Sequence, residues 1–99
     1  MRIDVSARHM ELTDAINEYA ESKADRLTKY FDRIQLIEIV LDQQDREFEV
    51  EMRVHVEHHD DFVGKAKGED VYSCIDAVLD KLVRQISDHK DRLKDHKPH

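Results

Sequence analysis

Residues 48–57 alternate without a break. Phe48, Val50, Met52, Val54 and Val56 fall on one side, and Glu49, Glu51, Arg53, His55 and Glu57 on the other. A strict period of two specifies a strand with one face buried and one in water. A sheet with a wet face must be covered on its other face. The helices of this chain are therefore expected on one side of one sheet.

The rest of the chain supplies those elements. Met1, Ile3 and Val5 alternate with Arg2, Asp4 and Ser6, a short half-buried strand. Thr13 is placed to cap a helix, with Asp14 in its first turn, where negative charge is favourable. Ile16, Tyr19, Ala20, Ala24, Leu27, Tyr30 and Phe31 follow at helical spacing, which predicts one helix ending near Phe31. Ile34–Leu41 reads as a well-buried strand, and the stretch from Gln43 to Arg46 as a polar turn. The stretch from His58 to Asp61 turns the chain into a hairpin, and Phe62, Gly64 and Ala66 line the inner face of a fourth strand. Gly68 breaks that strand. Asp70 then caps a long helix with a stripe of Val71, Ile75, Val78, Leu79, Leu82, Ile86 and Leu93, ended by Pro98. The order β-α-β-β-β-α defines an α+β fold: a four-stranded sheet with two helices on one face. The first crossover is long enough for a parallel pair, and strands two to four form an antiparallel meander. Residues 1–99 are expected to form one domain.

With 39% charged residues, two Gly and one Pro, the chain favours long regular elements over loops. Its length allows one core but not a deep enzyme cavity as well. No apolar run approaches the roughly 20 residues of a membrane span, and the N-terminus lacks a signal peptide's apolar stretch. The one cysteine, Cys74, has no partner for an internal disulfide and reads as a helix-packed thiol. A reducing, cytoplasmic location is the expectation.

The net charge of −7 is unevenly spread. Residues 1–80 hold 10 Lys and Arg against 20 Asp and Glu, a net of −10; residues 81–99 hold 6 against 3, a net of +3. An acidic body with a basic end points either to an oriented electrostatic partner or to a solvated helix end whose cations suit the helix dipole.

Lys23, Arg26 and Lys29 sit on or beside the first apolar stripe, and Arg33 extends that line. Lys23 falls inside the stripe, so either its stem packs while its amine reaches water, or it contacts phosphate between the helices. On the last helix Lys81, Arg84 and Arg92 share one side, and Lys90, Lys94 and Lys97 another. Cations of two neighbouring helices meeting over one groove suit structured RNA, which is read by shape, phosphate and 2′-OH contacts. Tyr72 either stacks on a base or packs against the sheet edge. His55, His58 and His59, with Asp60 and Asp61, surround one hairpin, but their spacing matches no standard zinc site. His89 and His96 read as pH-sensitive neighbours of phosphate. No phosphate loop, serine elbow, HExxH motif or acid–base pair is present, so no catalysis, cofactor or small-molecule substrate is expected.

Two strings carry a resemblance. They are Tyr30-Phe31-Asp32-Arg33-Ile34, and Gly68-Glu69-Asp70-Val71-Tyr72 running through Ile75-Asp76, Asp80-Lys81-Leu82 and Arg84-Gln85 to His89-Lys90-Asp91. With them the chain resembles the short ribosome hibernation-promoting factors, or ribosome-associated inhibitors of translation, over nearly its whole length. The resemblance implies a fold similar to double-stranded RNA-binding domains. It implies a partner, the small ribosomal subunit, bound through rRNA and ribosomal proteins in the channel used by mRNA and tRNA under stress or in stationary phase. Lys23, Arg26, Lys29, Lys81, Arg84, Lys90 and Arg92 would then grip the RNA. Longer relatives carry a dimerisation domain that is not in this sequence. The chain departs from the pattern in its acidity and in Asp88, where a basic or neutral residue is expected. Two other readings stay open: an acidic interaction module using Glu49, Glu51 and Glu57, and a small metal-binding protein built on the hairpin histidines.

Overall fold

The computed structural model describes residues 1–95, with side chains as far as His89. The expected order is present: β1 (Arg2–Arg8), α1 (Asp14–Asp25), a 3-10 turn (Arg26–Lys29), β2 (Ile34–Gln44), β3 (Glu47–Val56), β4 (Phe62–Gly68) and α2 (Val71–Asp95). The sheet order is β1-β2-β3-β4, with β1 parallel to β2 and the other pairs antiparallel. Pro98 and Lys97, expected at the end of α2, lie outside the described residues.

Alternation sets the register of β3. Val50, Met52 and Val54 are fully buried and Val56 nearly so, while Glu49, Glu51, Arg53 and His55 face the open side. Phe48, at the strand end, is only half-buried. The strand packs under α2, and α1 rests on β1. β2 runs past the expected Leu41 because its hairpin pairs as far as Gln44 with Glu47, and Asp45 makes the turn at φ 58°.

Both helices begin at the expected caps. The Thr13 hydroxyl accepts from the Ile16 N–H at 3.2 Å. The Asp70 carboxylate accepts from the Tyr72 N–H and the Ser73 N–H, both at 3.3 Å, and from the Ser73 hydroxyl at 2.7 Å. The Ser73 bonds hold the Asp70 carboxyl below its ordinary value of 3.8. A lowered folded pKa gives stability that is fully present above the unfolded value and is lost as pH falls through the folded one. Asp70→Ala is therefore expected to melt below wild type at neutral pH, and the gap is expected to close under acid. Melting curves that stay parallel through acid would contradict the cap.

The first helix does not run unbroken to Phe31. It leaves α geometry after Asp25, where the Thr28 hydroxyl donates to the Asp25 carbonyl at 2.7 Å and competes for the acceptor a longer helix would use. Leu27 still reaches the core from the 3-10 turn, but Tyr30 is turned out and 43% exposed.

Gly64 lets α2 sit close to β4. A Cβ at this position would stand 3.2 Å from Val78 Cγ2 and 3.4 Å from Leu82 Cγ. Gly64→Val is expected to cost about 1–3 kcal/mol through overpacking, measured by urea unfolding. An unchanged midpoint would mean that the helix does not rest on this strand. The outer edge of β4 is covered by α2 as well: Lys81 Nζ donates to the Lys65 carbonyl, and Gln85 Nε2 to the Val63 carbonyl at 3.0 Å. Such cover blocks edge-to-edge pairing.

Candidate nucleic-acid interface

α1 and α2 lie side by side and run in the same direction, since Tyr19 meets Tyr72 and Asp76 while Phe31 meets His89. The groove between them opens on a polar cluster. The Tyr19 and Tyr72 rings meet edge to face at 4.9 Å. The Tyr19 hydroxyl donates to Asp76 Oδ1 at 2.7 Å, and Lys23 Nζ stands 3.6 Å from the same oxygen. Lys23 Nζ is also 5.2 Å from the centroid of the Tyr19 ring. The hydrogen bond to Asp76, followed by loss of solvent, pushes the Tyr19 phenol above its ordinary 10.0, so the tyrosine stays a donor at neutral pH. The Arg26 charge pulls the other way.

The stem of Lys23 packs within the stripe, as one of its two readings expects. Its side chain is 21% exposed, packed along Tyr19, and its amine reaches the groove beside a carboxylate. Tyr72 packs on Tyr19 and is half-buried. Arg26 and Lys29 are exposed on the 3-10 turn, Arg33 is exposed just after it, and Arg84 is exposed on the outer crest of α2. Among the described residues none of these four makes an ion pair.

The cations do not converge on a single groove. Lys81 stands roughly 140° around α2 from Asp76, at the β4 edge, where its amine holds the Lys65 carbonyl. Lys90, Arg92 and Lys94 lie on α2, but their side chains are outside the described residues, as are Lys97 and His96 altogether. The arrangement is a band over the helical side, from Lys23, Arg26 and Lys29 across to Arg84.

The open sheet face differs. Lys67 pairs with Glu49 at 3.4 Å, Lys65 with Glu51 at 3.5 Å, and Arg53 with Asp61 at 3.3 Å and Glu51 at 3.8 Å. Its cations are neutralised in place; on the helical side Lys23 is paired with Asp76, while Arg26, Lys29, Arg33 and Arg84 make no ion pair among the described residues. Arg8 and Arg46, at strand ends, are the other arginines without an ion pair among the described residues.

The hairpin histidines diverge. His55 lies on the sheet face between Glu38, at 2.5 Å, and Asp61, at 3.0 Å. His58 pairs with Glu57, and His59 stacks on Phe62 at 4.8 Å and abuts His89 at 4.3 Å. Among the described residues no three His, Cys, Asp or Glu side chains are grouped to hold a metal ion. Cys74 is buried, and loss of solvent raises its thiol above 9.0, away from the reactive thiolate. Among the described residues no helix is long and apolar enough to cross a membrane.

Sequence reasoning missed the bond from Tyr19 to Asp76. A tyrosine within an apolar stripe signals that its hydroxyl needs an acceptor, but nothing in the spacing says which one.

Residues 3–94 match the family described as sigma 54 modulation protein / S30EA ribosomal protein. The chain is 34% identical over 96 residues to the ribosome hibernation promoting factor of Escherichia coli K12, covering 97% of this chain and 100% of that one. It is 34% identical over 92 residues to the factor of the same name from Azotobacter vinelandii, covering 93% and 85%. Among solved structures, a ribosomal subunit interface protein from Coxiella burnetii has the same fold, with a TM-score of 0.84 at 24% identity over 92% of this chain and 99% of that one. The N-terminal domain of Thermus thermophilus Protein Y gives a TM-score of 0.78 at 30% identity over 87% and 96%. With the match spanning nearly every described residue, the chain belongs to the sigma 54 modulation protein / S30EA ribosomal protein family.

Proposed function

We propose that this protein is a ribosome hibernation factor. It binds the small ribosomal subunit and holds the ribosome idle by occupying the channel for mRNA and tRNA. The observation that carries this reading is the family match over residues 3–94, joined to a helical side on which Arg26, Arg33 and Arg84 make no ion pair among the described residues. The mechanism is steric: the protein acts by filling a site in the cytoplasm, as one domain, and performs no chemistry. Lys23, Arg26, Lys29 and Arg84 contact rRNA phosphates, Lys90 and Arg92 extend the contact along α2, and Lys81, whose amine is engaged with the Lys65 carbonyl, lies at its margin. The acidic body is repelled by RNA and so orients the protein, with its sheet face toward basic ribosomal proteins.

Co-sedimentation with 30S and 70S particles in a sucrose gradient tests the reading. Each phosphate contact releases counterions, so affinity falls with salt. The first four contacts alone predict a loss of at least roughly 50- to 150-fold between about 50 and 200 mM salt. Binding that ignores salt would remove the phosphate interface.

A further inference from the structure

We propose that Asp76 is an internal competitor for Lys23: it holds the lysine charge in the free protein and yields it to an RNA phosphate on binding. The inference rests on the ribosome-binding reading above. Three features of the groove carry it. One carboxylate oxygen receives both groups, the Tyr19 hydroxyl at 2.7 Å and the Lys23 amine at 3.6 Å. The first is a full hydrogen bond, and the second is beyond hydrogen-bond range and held by charge alone. Tyr19 therefore anchors the carboxylate, while Lys23 is free to leave it.

The lysine does not need Asp76 to stay in place. Its stem packs along the Tyr19 ring, with the amine 5.2 Å from the centroid, and its side chain is only 21% exposed. Loss of the carboxylate would leave the amine at the groove mouth without a partner. Asp76 is 49% exposed there, so a phosphate reaching Lys23 also meets a like charge. The hold of Asp76 on the Lys23 amine and its repulsion of the phosphate both weaken RNA binding. Arg26 and Arg84, with no carboxylate partner among the described residues, carry no such internal brake.

Asp76→Asn keeps the size of the side chain and an oxygen for the Tyr19 hydroxyl while removing the charge. It is expected to tighten 30S binding about three- to fivefold, the upper range for an exposed ion pair. The slope of log affinity against log salt is expected to steepen by up to about 0.7–0.9, because no freed carboxylate then takes up a cation as Lys23 moves to the phosphate. The gain is expected to vanish in the Lys23→Ala background. Asp80→Asn, one turn along α2, removes an equal charge that is not paired with Lys23, and any gain it gives is expected to survive Lys23→Ala. Circular dichroism checks that each variant is folded. Unchanged or weaker binding by Asp76→Asn, or a gain that persists without Lys23, would overturn the inference while leaving the ribosome-binding reading standing. A folded wild-type protein that does not sediment with 30S would remove both.

Discussion

Replacing Leu82 with alanine is expected to be the most damaging single truncation discussed for this protein. Leu82 is fully buried in α2, directly over the backbone of Gly64. Its removal loses the transfer energy of the side chain and leaves a cavity, because a regular helix resting on a paired strand cannot collapse to fill it. Such truncations cost about 2–5 kcal/mol. A domain of this size has about 5–15 kcal/mol in total. At roughly 4–8 °C per kcal/mol, the melting point should fall by at least about 10 °C. Tyr30→Ala, which truncates a larger but exposed side chain, should move it little. Equal shifts in thermal melts followed by circular dichroism would mean that α2 is not seated on β4 through this residue.

Why Leu82 was legible from sequence, and Lys81 was not, has a physical explanation. A period of 3.6 identifies the stripe that is buried, so Val71, Ile75, Val78, Leu79, Leu82 and Ile86 could be assigned to the core. The stripe has two flanks, however, and spacing does not say which one meets the neighbouring helix. Lys81 lies on the flank facing the β4 edge, and Asp76 on the flank facing α1. Only the packing of α2 against both elements decides this. The same limit explains Tyr30. A helical period holds while the α-helix does, and the backbone tightens into a 3-10 turn at Arg26. The strands were easier, because a period of two has only two faces, and the buried one was plain from Val50, Met52 and Val54. His55 could be placed on the wet face, but its two carboxylate neighbours come from β2 and from the β3–β4 hairpin, which only the sheet register brings together.

The charge pattern leads to the largest functional effect. A net charge of −7 makes general attraction to RNA unfavourable, so binding must depend on a local set of cations. Arg26, Lys29 and Arg84 are exposed on the helical side and, among the described residues, have no carboxylate to give up on binding. Removing all three with Arg26→Ala, Lys29→Ala and Arg84→Ala is expected to cost about 1 kcal/mol per contact. If the sites act independently, the sum is about 3 kcal/mol, or more than a hundredfold in 30S affinity. The comparison is Arg53→Ala, Lys65→Ala and Lys67→Ala, which removes the same charge from the sheet face. Those cations already neutralise Glu49, Glu51 and Asp61. They also lie across a molecule whose shortest extent is 18 Å, well beyond the screening length of about 8 Å at physiological salt. Their loss should change 30S affinity several-fold at most. Lys81→Ala alone should fall nearer the sheet-face result, since its amine is engaged with the Lys65 carbonyl. Equal losses for the two triple variants, with both confirmed as folded, would mean that overall charge governs binding and would sink the helical-side assignment.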